Sequence, residues 1–393
     1  MKPRVLILTA GYGEGHNAAA RNLAAACEDE GGPGTARIAD LFALASPRLT
    51  ALTRRGYLAA INRTPRLWSA FFAWVDRARP FPRHLWLLRR EQAALRRLLR
   101  ETTPAVVCST YPIYGFLMEE IARTDGPQAP HYNVVTDSIS INSLWWIPRC
   151  AGWFVPNADS AEVMIRAGID PALVHTTGFP LPAVFTSPAP ALQPPNLAAG
   201  HAPRILYIIN SGTQHAETTA RKLLAEGGWE ITCAVGRDEV LRRRLQKIAA
   251  HRRTPATILG WTDQIPRLLL THHVVISKAG GATTQEAIAA RCPMIVNQIV
   301  PGQEEGNYEL LRRHRIGAHA PTPETVISAL HRAFAGRGTL WRQWHRAFAP
   351  LLRPHAARDI ARHLLNRKPS PETVCHPLGD KLPAGPPVGL RHG

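Results

Sequence analysis

The sequence predicts two α/β domains of Rossmann type in tandem, and three observations carry that expectation. In both halves short β-rich apolar runs alternate with helical patterns, the signature of a parallel sheet. A proline-rich stretch without periodicity, Ser187-Pro188-Ala189-Pro190-Ala191-Leu192-Gln193-Pro194-Pro195-Asn196, separates the halves. Each half also places a glycine-bearing turn between a strand and a helix.

Taken in order, the apolar runs 5–9, 36–40, 105–109, 132–136 and 153–156 read as strands of the first domain, residues 1–185. Residues 186–203 are the linker. The runs 204–210, 231–235, 257–261, 273–277 and 293–298 build the second domain, 204–345. A helix over 346–368 and a disordered tail over 369–393, with Pro383-Ala384-Gly385-Pro386-Pro387, complete the chain. Ligands of such sheets collect at the carboxyl ends of the strands, so two domains facing one another are expected to hold substrates in a cleft.

The 393 residues are 45% hydrophobic, enough for two or three folded cores. Lys and Arg number 47 against 29 Asp and Glu, a net charge of +18, which calls for a polyanionic partner: phosphate, nucleic acid or an anionic membrane. The 41 arginines and 6 lysines suit bidentate phosphate recognition and equally suit a biased genome. No run approaches the ~18 apolar residues of a membrane-spanning helix, and the chain opens on a strand rather than a leader. Six scattered cysteines without a Cys-x-x-Cys pair fit neither a disulfide framework nor a structural zinc site. A cytoplasmic protein, peripheral on the inner face of the cell membrane, is the expectation.

One segment breaks the alternation. Residues 48–100 hold 13 arginines against Asp76 and Glu91, interleaved with Tyr57, Trp68, Phe71, Phe72, Trp74, Phe81 and Trp86. Leu85, Leu88, Leu95 and Leu99 recur at helical spacing. Packed helices with a solvated basic face and a membrane-surface patch both fit. No nucleic-acid motif accompanies the charge, so nucleic acid is not expected as a partner.

Chemistry concentrates in two turns. Gly11-Tyr12-Gly13-Glu14-Gly15-His16 follows the first strand and opens an alanine-rich helix, so Gly13 and Gly15 leave backbone amides open to an anion. The spacing is not Gly-x-Gly-x-x-Gly, and His16 stands where a dinucleotide fingerprint needs glycine. A histidine there titrates near neutrality and suits general-base work, or caps the helix. In the second half Ser277-Lys278-Ala279-Gly280-Gly281-Ala282-Thr283-Thr284-Gln285-Glu286 again joins strand to helix. Gly280 and Gly281 free amides for a diphosphate, Thr283 offers a hydroxyl, and Glu286 can accept from ribose hydroxyls. Gln303, Glu304 and Asn307, in the segment 301–307, add polar groups beyond the next strand.

These motifs carry a resemblance. The second half is similar to the C-terminal domain of glycosyltransferase family 28, and the first resembles the monogalactosyldiacylglycerol synthases and processive diacylglycerol glucosyltransferases. Together the similarity spans about residues 4–345, with Ser109-Thr110-Tyr111-Pro112, Val134-Val135-Thr136-Asp137, Val155-Pro156-Asn157 and Thr177-Gly178-Phe179-Pro180 fitting as well. The resemblance implies GT-B architecture and inverting transfer of a hexose from a UDP-sugar to a membrane lipid hydroxyl, with no permanent cofactor and no essential metal. It implies His16 as base, with Asp137 orienting it or acting as base itself. It also implies Thr283 on phosphate, Glu286 on ribose, Gly236, Arg237 and Trp261 beside the nucleotide, and Glu304 and Asn307 on the donor. Two positions depart from the pattern. Asn142 stands where plant galactolipid synthases place histidine, and Asn210-Ser211-Gly212-Thr213 replaces a glycine run, with Gly212 its remaining phosphate-side glycine. An epimerase of UDP-sugars and a non-catalytic nucleotide-sugar or membrane-binding protein are the alternatives.

Overall fold

The computed structural model describes residues 3–48, 50, 53, 56, 84–186, 189, 192–210, 215–300, 302 and 304–366. Most of the basic segment, the tail, Gly212 and Gln303 lie outside the described residues. The chain divides into two units, Met1–Leu181 with Pro301–Gly306 and His355–Gly393, and Pro182–Val300 with Asn307–Pro354.

The first unit is built on a parallel sheet of β1 (Val5–Thr9), β2 (Ala36–Asp40), β3 (Val106–Ser109), β4 (His131–Val134), β5 (Gly152–Val155) and β6 (Val174–Thr176), in the order β2-β1-β3-β4-β5-β6. All five residues of β1 are buried because the strand is covered on both faces, which is why it reads as an unbroken apolar run. Val5 and Ile7 pack with Ala20, Leu23 and Cys27 of α1 (Glu14–Gly31). Leu6 and Leu8 pack on the other face with Leu95 and Leu99 of α3 (Arg89–Thr102) and Leu117 of α4 (Ile113–Asp125). The short α2 (Leu41–Ala45) follows β2, and α5 (Ala158–Arg166) follows β5.

The second unit carries β7 (Arg204–Ile208), β8 (Glu230–Ala234), β9 (Ala256–Leu259), β10 (Val274–Lys278), β11 (Met294–Gln298) and β12 (Gly317–His319), parallel in the order β12-β11-β10-β7-β8-β9. Its helices are α6 (Ala216–Ala225), α7 (Glu239–Ala249), α8 (Ile265–Thr271), α9 (Gly281–Ala289), α10 (Glu305–Arg313, of which Glu305 and Gly306 group with the first unit) and α11 (Pro323–Ala347). Strand order reverses beside β1 in one sheet and beside β7 in the other, and each reversal opens a crevice at the strands' carboxyl ends.

The single helix expected over 346–368 is instead a 3-10 turn, Ala349–Leu351, followed by α12 (Ala356–Leu365). Pro350 and Pro354 cannot continue an α-helix, which accounts for the break. Trp344, Phe348 and Leu351 are buried and the Trp341 indole N–H donates to the His273 carbonyl at 2.6 Å, so this aromatic stripe is core. Within the first unit α12 lies along α1, where Arg362 pairs with Glu30 at 2.8 Å.

Two buried histidines pin the second unit in a neutral state. His273 Nδ1 accepts from the Arg204 amide at 2.9 Å and its Nε2–H donates to the Pro195 carbonyl at 2.8 Å. The His272 ring bonds the Leu268 carbonyl at 2.7 Å and the Thr232 hydroxyl at 2.9 Å. Burial pushes both down to about 4. An unfolded histidine near 6.5 binds a proton that the folded one refuses, so stability is complete above pH 6.5 and falls as pH drops toward 4, by up to about 3 kcal/mol per histidine. Thermal unfolding is therefore expected to show a falling Tm from pH 7 to pH 4; an unchanged Tm over that range contradicts neutral burial.

Candidate active site

In the first unit the crevice lies between the turn after β1 and the turn after β3. Asp40 at the end of β2 accepts from the Gly11 amide at 2.9 Å and the Ala43 amide at 3.1 Å, anchoring the glycine turn while capping α2. His16 then sits in the first turn of α1, half-buried, with Nδ1 2.7 Å from the Thr110 carbonyl and 3.0 Å from Oγ1 of Thr136. A carbonyl only accepts, so Nδ1 carries the ring proton and Nε2 keeps its lone pair. The Thr110 hydroxyl bonds back to the His16 carbonyl at 3.0 Å.

Gly13 has an ordinary extended backbone, and its use is spatial: a Cβ there would stand 3.2 Å from Cδ2 and 3.7 Å from Nε2 of His16. The bare Cα leaves the basic edge of the ring open. Gly15 lies half-buried in the same first turn of α1. Tyr111 meets the His16 ring edge-on at 5.0 Å and stacks at 6.2 Å with Tyr12, which also packs on Phe42, so an aromatic rim surrounds the imidazole.

Asp137 follows β4, half-buried, with Oδ2 accepting the Trp145 indole N–H at 2.7 Å. Burial lowers the His16 basicity and the neighbouring Asp137 charge restores part of it, with a smaller gain from the Thr110 bond. Burial raises Asp137, opposed by His16 and then by Trp145. The charge of each group therefore acts on the other, the carboxylate favouring the protonated ring.

In the second unit, Asn210, just beyond β7, donates to Ser277 Oγ of β10 at 3.1 Å, bridging the two strand ends. The Ala279 amide bonds the Gln298 carbonyl at 3.2 Å and the Gly280 amide the Lys278 carbonyl at 2.8 Å. The first amide of α9 to bond back is Thr284, to Gly280 at 2.9 Å, so those of Gly281, Ala282 and Thr283 precede the helical ladder. Thr283 and Glu286, three residues apart, share the half-exposed face of α9, while Thr284, Gln285 and Ala287 are buried.

Asn307 is 3% exposed and donates through Nδ2 to the Ala279 carbonyl at 3.0 Å; its Oδ1 is buried without a partner among the described residues. It therefore holds the glycine turn in place. Glu304 is buried and groups with the first unit. At the ends of β8 and β9, Gly236 adopts φ 63°, a left-handed backbone that favours glycine, and Gly260 backs on to it. Arg237 is exposed, and Trp261 is 68% exposed, a free indole face beside that turn.

The motifs placed His16, Asp137 and the glycine turns; Trp145, Asp40 and Tyr12 gave no functional signal, because their roles depend on chain reversals that periodicity does not report. Among the described residues no group of three or more His, Cys, Asp or Glu is placed to hold a metal ion, and no helix is long and apolar enough to cross a membrane.

Residues 16–181 match the family described as Monogalactosyldiacylglycerol (MGDG) synthase. The chain is 26% identical over 309 residues to "Processive diacylglycerol beta-glucosyltransferase" of Bacillus cytotoxicus and of Bacillus cereus, covering 78% of this chain and 79% of each relative. Among solved structures it is similar to MurG of Acinetobacter baumannii, with TM-score 0.59 and 13% identity over 93% of this chain and 100% of that one. It is also similar to Os79 of O. sativa in complex with U2F and trichothecene, with TM-score 0.60 and 13% identity over 92% and 99%. The GT-B fold and the family resemblance read from the motifs are both upheld.

Proposed function

We propose that this chain, of the monogalactosyldiacylglycerol synthase and processive diacylglycerol glucosyltransferase kind, is an inverting glycosyltransferase that moves a hexose from a UDP-sugar to the hydroxyl of a diacylglycerol-type acceptor. The observation that carries the reading is His16, with Nδ1 committed to Thr110, which leaves Nε2 as its basic nitrogen, and the Asp137 charge raising the basicity of the ring. Nε2 removes the hydroxyl proton as the acceptor oxygen bonds to the anomeric carbon, the bond to UDP breaks, and the sugar inverts. Charge developing on the diphosphate is met by the amides opening α9 and by the Thr283 hydroxyl, while Glu286 accepts from the ribose. Trp261, Arg237 and Gly236 flank the base, with Gly281 and Gly280 under the phosphates. Glu304 and Asn307 support the donor, Asn307 through its grip on Ala279.

The acceptor side is read as peripheral on an anionic membrane, at the inner face of the cell membrane. Its support is the turn Leu85–Leu88, where Leu85 and Leu88 pack inward while Trp86 and Leu87 are 66% and 62% exposed, next to exposed Arg89 and Arg90. The test is incubation of purified protein with radiolabelled UDP-glucose, UDP-galactose or UDP-N-acetylglucosamine and diacylglycerol vesicles. Label in the organic phase is the expected result. Sugar-nucleotide consumed without acceptor would instead identify an epimerase, and binding without turnover a non-catalytic protein.

A further inference from the structure

We infer that Trp145 is the positioning residue of this site, its indole N–H fixing Oδ2 of Asp137 so that the carboxylate stays charged beside His16. The inference rests on the reading of His16 and Asp137 as the acid–base pair and adds the group that sustains it.

Three observations support it. The Trp145 indole is fully buried, so its N–H needs an acceptor, and Asp137 at 2.7 Å is that acceptor. The indole is itself fixed: the Trp145 carbonyl accepts the Trp153 indole N–H at 2.6 Å, and Asn142 caps the turn Ser143–Trp145 by accepting the Leu144 amide at 3.0 Å. Finally, the Trp145 ring lies 6.4 Å from the His16 ring, so one side chain walls the imidazole and holds its counter-charge. Asn142, which stands where plant galactolipid synthases place histidine, thus caps the same loop.

A carboxylate partly removed from water tends to take up a proton, and a donor to the charged form opposes this. Other titratable groups around the pair are Tyr111 and Tyr12 on the aromatic rim, Asp40 at the glycine turn, Glu14 paired with Arg21, and Glu304 and Glu305 on the segment that backs on to Ser138. The groups that act on the Asp137 carboxylate most directly are His16, by charge, and Trp145, by its hydrogen bond. The active form has neutral His16 and ionised Asp137, so loss of the N–H raises the proton affinity of the pair and moves the acid limb of the rate profile upward.

The experiment measures transfer against pH for the wild type, Trp145→Phe, and protein with benzothienylalanine at 145, which keeps the ring volume and loses only the N–H. The expected result is an acid limb of kcat raised by about one pH unit in both variants, with the donor KM unchanged. In an Asp137→Asn background the same replacements are expected to leave the limb where it is. An unmoved limb in the isosteric variant, or an equal shift in the Asp137→Asn background, overturns the inference while the transferase reading stands. Absence of transfer by the wild type overturns that reading instead.

Discussion

His16→Ala is expected to lower sugar transfer by about 100-fold to 10,000-fold while leaving uridine nucleotide binding unchanged. The size follows from what is removed. Nε2 is the proposed proton acceptor, which the Thr110 contact leaves basic; loss of His16 raises the proton affinity of Asp137, but its Oδ2 stays committed to the Trp145 indole N–H, so it replaces the lost base only in part. The alanine variant keeps the helix, since His16 makes no cap bond to α1 and the Gly13 N-cap uses no side chain. Steady-state kinetics with diacylglycerol vesicles, beside calorimetry with UDP, checks both halves. Near-normal turnover removes His16 from the mechanism and passes the role of base to Asp137.

Gly306→Ala is expected to cost about as much activity without touching a reacting group. A Cβ at Gly306 would stand 1.9 Å from the Ser138 carbonyl oxygen and 2.4 Å from the Ser140 amide nitrogen, distances that backbone atoms cannot relieve by rotating a side chain. The turn it meets cannot easily yield. Ile139 holds φ 57°, costly for a β-branched residue, and its amide is fixed by Ser160 Oγ at 3.2 Å. Ser140 and Ile141 close the turn through bonds of 2.6 and 2.9 Å. Displacing it moves Asp137, one residue away, and a shift of ~1 Å in a catalytic group costs about 100-fold in rate. The check is kcat together with a circular dichroism melt: lost activity with a retained cooperative melt is expected, and unaltered kcat contradicts the close approach.

The central strands were legible because doubly covered parallel strands read as near-continuous apolar runs, as β1, β3 and β10 do until the polar residues at their carboxyl ends. β6 and β12 were not. Each is a three-residue edge strand, Val-His-Thr and Gly-Ala-His, only partly buried, so neither carries an apolar run. The glycine turns were legible because a strand, a glycine pair and a helix in series leave few conformations. What the sequence withheld was partnership across distance: Trp145 to Asp137, Asn307 to Ala279, Gly306 against Ser138. Asn307 illustrates the difference. Its motif announces a donor ligand, whereas its amide supports the turn on which the donor is read to sit.

The account depends most on a uridine diphosphate ester resting at the amide-rich start of α9 with its ribose on Glu286. Titration calorimetry of UDP into the wild type and into Glu286→Ala tests this directly. The predicted result is saturable binding by the wild type, weakened about 10-fold to 100-fold in the variant through loss of charge-assisted hydrogen bonds. Equal affinity of the two proteins, or no heat with the wild type, contradicts it.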